Sequence, residues 1–126
     1  LLLFTNDGRL ADRLMHPRGS VDKHYEVTVE GDWHAGERLL ARSIELDGYR
    51  IAPPQVRLLQ GAGNRAIFEI TIHEGRNRQI RRMCEAAELR VVRLRRIAEG
   101  SLRLGTLPSG KWRLLTKEEI EQLYGE

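Results

Sequence analysis

The sequence holds very little that would tie it to an oxidising or membrane setting. Its single cysteine, Cys84, rules out an internal disulfide, and one free thiol agrees with a reducing compartment. The longest apolar run is the four residues Leu1 to Phe4, far below the roughly 20 needed to cross a bilayer, so no transmembrane helix is expected. No basic stretch precedes that run and no small-residue cleavage site follows it, so a secretory leader is not expected and a cytosolic chain is. The four histidines, His16, His24, His34 and His73, have no metal-ligand spacing with one another or with Cys84, which argues against a zinc site. Internal repeats and low-complexity linkers are absent. Lysine is scarce: only Lys23, Lys111 and Lys117 stand among 21 basic residues.

What is present is arginine, in 18 copies. Arg is planar, always charged and able to pair bidentately with phosphate, so the bias matters more than the net charge of +3. Nine arginines (Arg76, Arg78, Arg81, Arg82, Arg90, Arg93, Arg95, Arg96 and Arg103) fall in one window with three acids, Glu85, Glu88 and Glu99. Elsewhere acids outnumber bases. Such segregation is the electrostatic footprint of a polyanion-binding face, nucleic acid being the commonest ligand, although a solvated, salt-bridged surface would read the same way. With 126 residues, 40% hydrophobic and 31% charged, the chain amounts to one globular domain. It opens on Leu1 rather than Met, so the natural polypeptide is expected to start further upstream.

Periodicity outlines the elements. Leu1–Thr5 reads as a short buried strand, and Asp7 can cap a helix over Arg9–Met15 with Leu10 and Leu14 inward. Pro17, Gly19 and Ser20 make a loop. Tyr25, Val27 and Val29 alternate with Glu26, Thr28 and Glu30, predicting a half-buried strand over Lys23–Glu30. A short helix is expected around Glu37–Ser43, a turn at Asp47-Gly48, and extended chain past Pro53 and Pro54 toward Leu59. Arg65–His73 is a strand with Ala66, Phe68, Ile70 and Ile72 on one face. Over Arg78–Leu89 the period becomes helical, with Ile80, Met83, Cys84 and Ala87 on one face and Arg78, Arg81, Arg82 and Glu85 opposite. Arg90–Ile97 and Ser101–Leu104 read as strands, and Thr116 with Glu119 forms a capping box for a last helix carrying Ile120, Leu123 and Tyr124. The fold class is α+β, a mixed, largely antiparallel sheet with flanking helices.

Gly61-Ala62-Gly63-Asn64-Arg65-Ala66 has the spacing of a dinucleotide-binding loop, but a strand rather than a helix follows, so a hairpin turn explains it better. Cys84 lies on an apolar helix face, where core packing explains it better than chemistry. Glu74-Gly75-Arg76-Asn77-Arg78-Gln79-Ile80-Arg81-Arg82-Met83 is different, because it joins a strand end to a helix start and places four arginines there. A turn at Gly75 and a cap at Asn77 would aim free N–H groups and the helix dipole at the space shared by Arg76 and Arg78, where an anion would sit.

These blocks resemble the RsuA-like pseudouridine synthases, which modify ribosomal RNA in bacteria. Leu1-Leu2-Leu3-Phe4-Thr5-Asn6-Asp7-Gly8 is similar to the family's LLLLTNDG segment. His16-Pro17-Arg18 with Val21-Asp22-Lys23-His24-Tyr25 is similar to HP[RK]xxVxKxY, and EGRNRQIRRM over 74–83 is close to its most specific signature. The stretch from Leu102 to Thr116 follows the family pattern too. The resemblance implies a pseudouridine synthase catalytic fold acting on RNA, with ribosomal RNA of the large subunit favoured, without cofactor or metal. It implies that Tyr25 stacks on the target base and is a candidate to take its C5 proton, and that Arg81 pairs with the catalytic aspartate. Lys23 joins the RNA-binding set, and Arg76, Asn77, Arg78, Gln79 and Arg82 hold phosphates or the pocket wall. In the family the aspartate lies in a GRLDxxTxG segment just before LLLLTNDG, so the nucleophile and the small N-terminal RNA-binding domain are expected outside this sequence. Residues 1–126 would then be the C-terminal part of the catalytic domain, inactive alone. A non-catalytic RNA-binding module using the same arginine face is the alternative, and the sequence upstream of Leu1 would separate the two.

Overall fold

A computed structural model of the chain describes residues 1–15, 22–42, 44–46, 48–73 and 78–125. Its centre is β1 (Lys23–Glu30), in which alternating Val27 and Val29 are fully buried. β1 is paired antiparallel on one side with β5 (Arg65–Ile72) and on the other with β6 (Arg90–Glu99). Outside these lie β4 (Gln55–Ala62), against β5, and β7 (Leu102–Arg103), against β6, giving the order β4-β5-β1-β6-β7 with every pairing antiparallel. A separate hairpin joins β2 (Ile44–Leu46) to β3 (Tyr49–Ile51), turning at Gly48, whose φ of +75° suits a residue without Cβ. β4 and β5 meet at Gly63-Asn64, with Gly63 at φ +59°, so the glycines of 61–63 serve a hairpin as expected.

Two helices supply the lid of the main core. α2 (Trp33–Leu40) begins earlier than the sequence pattern suggested, because the Asp32 side chain accepts from Ala35 N and starts the helix at Trp33. The Trp33 indole donates to the Gly63 carbonyl at 2.9 Å, pinning the helix start on the β4–β5 turn. α3 (Gln79–Ala86) lays Ile80, Met83 and Cys84 on the sheet, where they meet Val27, Val29, Phe68 and Ile70. Phe68 has no exposed surface, and losing such a ring costs about 3–5 kcal/mol. A second small core joins Leu10 of α1 (Gly8–Met15), Leu102, and Leu123 of α4 (Lys117–Gly125). Asp7 caps α1 through Oδ1, accepting from Arg9 N and Leu10 N, as expected. Leu14 and Tyr124 have side chains outside the described set. Among the described residues no helix is long and apolar enough to cross a membrane.

The segment Leu1–Thr5 is not the buried strand expected. Leu2 and Phe4 are largely exposed, and the segment is bonded to the sheet at Leu1 and Arg96: Leu1 N donates to Arg96 O at 3.0 Å and Arg96 Nε donates to Leu1 O at 2.9 Å. One such exchange does not make a ladder.

α3 ends in a Schellman geometry, in which Glu88 N reaches Glu85 O at 3.0 Å and Leu89 N reaches Cys84 O at 2.8 Å, while buried Leu89 packs in the core. The cap demands left-handed backbone, yet its residue is Glu88 at φ 60°. Glu88→Gly is therefore expected to raise stability by about 1 kcal/mol in urea unfolding, the L-residue penalty at this conformation. α4 opens on the expected capping box, Thr116 N to Glu119 Oε1 at 2.8 Å and Glu119 N to Thr116 Oγ1 at 3.1 Å. The Arg113 guanidinium, then the Thr116 N–H, hold the Glu119 carboxyl down at about 2. Because its carboxylate is favoured by folding, this support is present above its ordinary value near 4.5 and is lost as pH falls toward 2. Amide exchange in 117–120 should accelerate over that acid window, and Glu119→Gln should flatten the change.

Candidate functional site

Antiparallel pairing sorts side chains onto two faces. The inner face, under α2 and α3, takes Lys23, Tyr25, Val27 and Val29 from β1, opposite Ile72, Ile70, Phe68 and Ala66 from β5. Tyr25 is half-buried against that core, and Lys23 is 9% exposed. The outer face takes His24, Glu26, Thr28 and Glu30, opposite Thr71, Glu69, Ile67 and Arg65.

β6 carries two irregularities against β1. Register runs Lys23 to Glu99 and His24 to Ala98, skips Ile97, runs from Tyr25 to Arg96 through Thr28 to Arg93, then skips Val92. Each extra residue resets the alternation. Val91, Leu94, Arg96 and Glu99 thus oppose inner-face residues of β1, although strict alternation would put Arg96 and Glu99 on opposite sides. Arg90, Arg93 and Arg95 oppose Glu30, Thr28 and Glu26.

The arginine-rich window therefore does not form one face. Arg81 and Arg82 are half-buried on α3, and Arg78 is exposed at its start. Arg90, Arg95 and Arg103 go to outer-face ion pairs, with Glu30, Glu26 and Glu69; Arg57 and Arg65 join them through Glu69 and Glu30. Hydrogen bonds from Arg65 and then Arg90 hold the Glu30 carboxyl below its ordinary value. Such exposed pairs add little stability and are screened by salt.

The sequence-predicted site residues fall into three groups. Tyr25 and Lys23 share the inner face of the central strand, and Gln79 and Arg81 belong to the helix laid over that face. Gln79 is 3% exposed and its amide lies 3.8 Å from Met83 Sδ, so it belongs to a wall rather than to an open phosphate site. Arg76 and Asn77, like Glu74, Gly75 and His16–Val21, lie outside the described residues. The expected cap at Asn77 is not what starts α3: its N-cap is Arg78, in left-handed backbone at φ 53° and ψ 33°, with no side-chain cap bond.

An open cavity of about 170 Å³ lies at the start of β1, lined by Asp22, Ala52, Pro53, Pro54, Gln55, Thr71, Ile72, His73 and Gln79. Asp22 Oδ1 and His73 Nδ1 are 2.8 Å apart, and Thr71 Oγ1 lies 2.9 Å from His24 Nδ1. Neither Tyr25 nor Arg81 lines it, so it flanks the Tyr25 face.

Sequence reading missed Glu99, 5% exposed, with Oε2 lying 3.6 Å from Arg96 Nη2 and with Lys23 as its register partner. Burial lowers the Lys23 ammonium below its ordinary value, Glu99 opposes that effect, Arg96 adds to it and Asp22 opposes it. A glutamate in an arginine-rich strand gave no signal, since the skip at Ile97 is not visible in the sequence.

The family description "RNA pseudouridylate synthase" matches residues 1–86, a span that contains Tyr25 and Arg81. The chain belongs to that family. Among its relatives, an uncharacterized RNA pseudouridine synthase of Aquifex aeolicus (strain VF5) is 41% identical over 127 residues, covering 98% of this chain and 50% of the relative. A ribosomal large subunit pseudouridine synthase B of Bacillus subtilis (strain 168) is 42% identical over 126 residues, covering 98% of this chain and 52% of the relative. The solved structure described as "Crystal structure of pseudouridylate synthase" superposes with TM-score 0.81 at 31% identity, over 94% of this chain and 52% of that one. The chain thus spans about half the length of these curated relatives, and its α+β fold is the pseudouridylate synthase fold.

Cys84 belongs to the packing, as its helix face suggested. It is fully buried, and burial pushes its thiol up to about 12. A buried neutral thiol is a poor nucleophile. Iodoacetamide at pH 8 should leave the native protein unlabelled for hours and alkylate it rapidly in denaturant. Rapid native labelling would show that the α3 seat opens.

Proposed function

We propose that this chain is the Tyr25- and Arg81-bearing part of a ribosomal large-subunit pseudouridine synthase. The observation that supports the reading best is the placement of Tyr25 and Lys23 on the inner face of the central strand, under the helix that carries Arg81. The names of relatives support RNA as the substrate and the large subunit as its source. A uridine inside a helix is out of reach, so the target base is flipped into the site at an unstacking cost of a few kcal/mol. Stacking on the Tyr25 ring offsets part of that cost, as do phosphate contacts from Arg78 and Arg82.

The chemistry breaks the N1–C1′ bond, turns the uracil and forms C5–C1′. C5 loses a proton, for which the Tyr25 oxygen is the acceptor in this reading, and N1 gains one, so the reaction is a redox-neutral isomerisation. An ionised aspartate is required at the sugar, and we place it on a segment outside this sequence. Arg81 pairs with that carboxylate and keeps it ionised. Lys23 contributes charge beside Tyr25, Gln79 belongs to the pocket wall, and Arg76 and Asn77 are assigned to RNA phosphates or that wall.

The 126-residue chain alone is expected to bind RNA without turnover, and turnover by it would overturn the placement of the aspartate. In the full-length protein Tyr25→Phe should slow single-turnover isomerisation while leaving RNA affinity within about twofold, since the stacking ring remains. Arg78→Ala and Arg82→Ala should each reduce the slope of log affinity against log salt by about 0.7, the value for one single-strand phosphate contact. Arg81→Ala should leave that slope unchanged and slow chemistry, with partial recovery at higher pH. A full-length protein that binds large-subunit RNA but never isomerises it would favour a non-catalytic binding module.

A further inference from the structure

Four side chains that belong to different parts of the sequence meet on the inner face. Tyr25 stands opposite Arg96, and Lys23 opposite Glu99, on directly paired strands. Lys23 and Glu99 are 9% and 5% exposed, and the Arg96 side chain is 22% exposed. Two cations this close repel each other in a low-dielectric setting unless an anion stands between them, and removing one member of a buried charge set leaves the others uncompensated. Glu99 is that anion. It lies 3.6 Å from Arg96 and faces Lys23. Arg96 in turn anchors Leu1 through reciprocal bonds of 3.0 and 2.9 Å.

The arrangement depends on the extra residue Ile97. A chain that alternated strictly would send the Glu99 carboxylate to the outer face, away from Arg96, and leave Lys23 without its register partner. A bulge that re-aims one carboxylate between two cations is a specific device, because an outer-face glutamate satisfies an arginine without any irregularity in the strand pair between them, as Glu30 does with Arg65.

We propose that Glu99 is a positioning residue of the isomerisation site, holding Lys23 and Arg96 side by side as a doubly cationic edge next to Tyr25. The inference rests on the pseudouridine synthase reading and goes beyond it, since it assigns a role to a carboxylate that touches neither base nor aspartate in that reading. The edge serves the anionic part of the flipped nucleotide, its phosphate, while Tyr25 serves the base. Charged groups facing Lys23 are Glu99 and Arg96 from β6 and Asp22 from its own flank, while β5 opposes it with Ile72.

The test uses the full-length protein with two readouts. The first is the titration of the Lys23 ammonium by NMR of lysine Nζ, which needs no activity and is assigned by the signal that Lys23→Arg removes. Glu99→Gln should move the Lys23 midpoint down by about one pH unit, a tenfold change in its protonation equilibrium. The second is the pH profile of single-turnover isomerisation of a large-subunit RNA transcript. Glu99→Gln should shift its alkaline limb to lower pH, Glu99→Asp should restore part of the shift, and Glu121→Gln, on the exposed side of α4, should do neither. Lys23→Arg, which cannot lose its charge, should remove that limb from whatever turnover it supports, and it keeps the proposal testable should the Glu99 variants fold poorly. An unmoved Lys23 midpoint, or a limb unaffected by both Glu99→Gln and Lys23→Arg, overturns the positioning role. A wild-type protein that shows the Lys23 shift but no isomerisation overturns the pseudouridine synthase reading instead and leaves the charge cluster standing.

Discussion

The pairing of β6 with β1 decides what every other part of the molecule can contribute. β1 is central and its inner face is closed by α3, so residues that work beside Tyr25 must come from β5, β6 or the helix. From β5 come only Ala66, Phe68, Ile70 and Ile72, which are needed for the core. The chemistry-bearing side chains must therefore come from α3 or from β6, a strand in which arginine occupies four of ten positions. The two skipped residues, Val92 and Ile97, divide those arginines: Arg96 is turned inward, and Arg90, Arg93 and Arg95 outward.

That division changes the meaning of the charge segregation. In the sequence, nine arginines within 28 positions look like one polyanion-binding surface. In the fold, the sheet separates them. Arg90 and Arg95 on β6 and Arg103 on β7 form ion pairs with Glu30, Glu26 and Glu69 on the outer face. Those on α3 stay on the side of Tyr25. The salt-bridged reading of the arginine run holds for Arg90, Arg95 and Arg103.

Much of the architecture was legible because its signals are local. β1 matches its expected bounds of Lys23–Glu30, β5 stops one residue short of the expected His73, and the buried face of α3 is the predicted set of Ile80, Met83, Cys84 and Ala87. Caps written into neighbouring residues, at Asp7 and at Thr116 with Glu119, were equally readable. What escaped was non-local or depended on backbone exceptions. Leu1–Thr5 has strand-like composition, but its bonds to the sheet go to Arg96, 95 positions from Leu1. Asp32 outcompeted the apolar pattern that placed α2 later. α3 starts from a left-handed arginine, a conformation that no propensity would assign to Arg78. The α+β class and the grouping of Tyr25, Lys23 and α3 followed from pattern and resemblance, whereas Glu99 required the register.

The two tryptophans sit in opposite surroundings, and this gives the molecule a pair of built-in optical reporters. Trp33 is 8% exposed, bonded to the Gly63 carbonyl and stacked on His34 at 3.7 Å, while Trp112 is 81% exposed. Indole emission shifts to shorter wavelength in a dry setting and is quenched by iodide only when the ring meets water. The blue, iodide-resistant component thus belongs to the sheet and its helical cover, and the red, quenchable one to the stretch before α4. Macromolecules that settle over that stretch would protect the second signal and leave the first untouched, so contact there can be followed without attaching a dye.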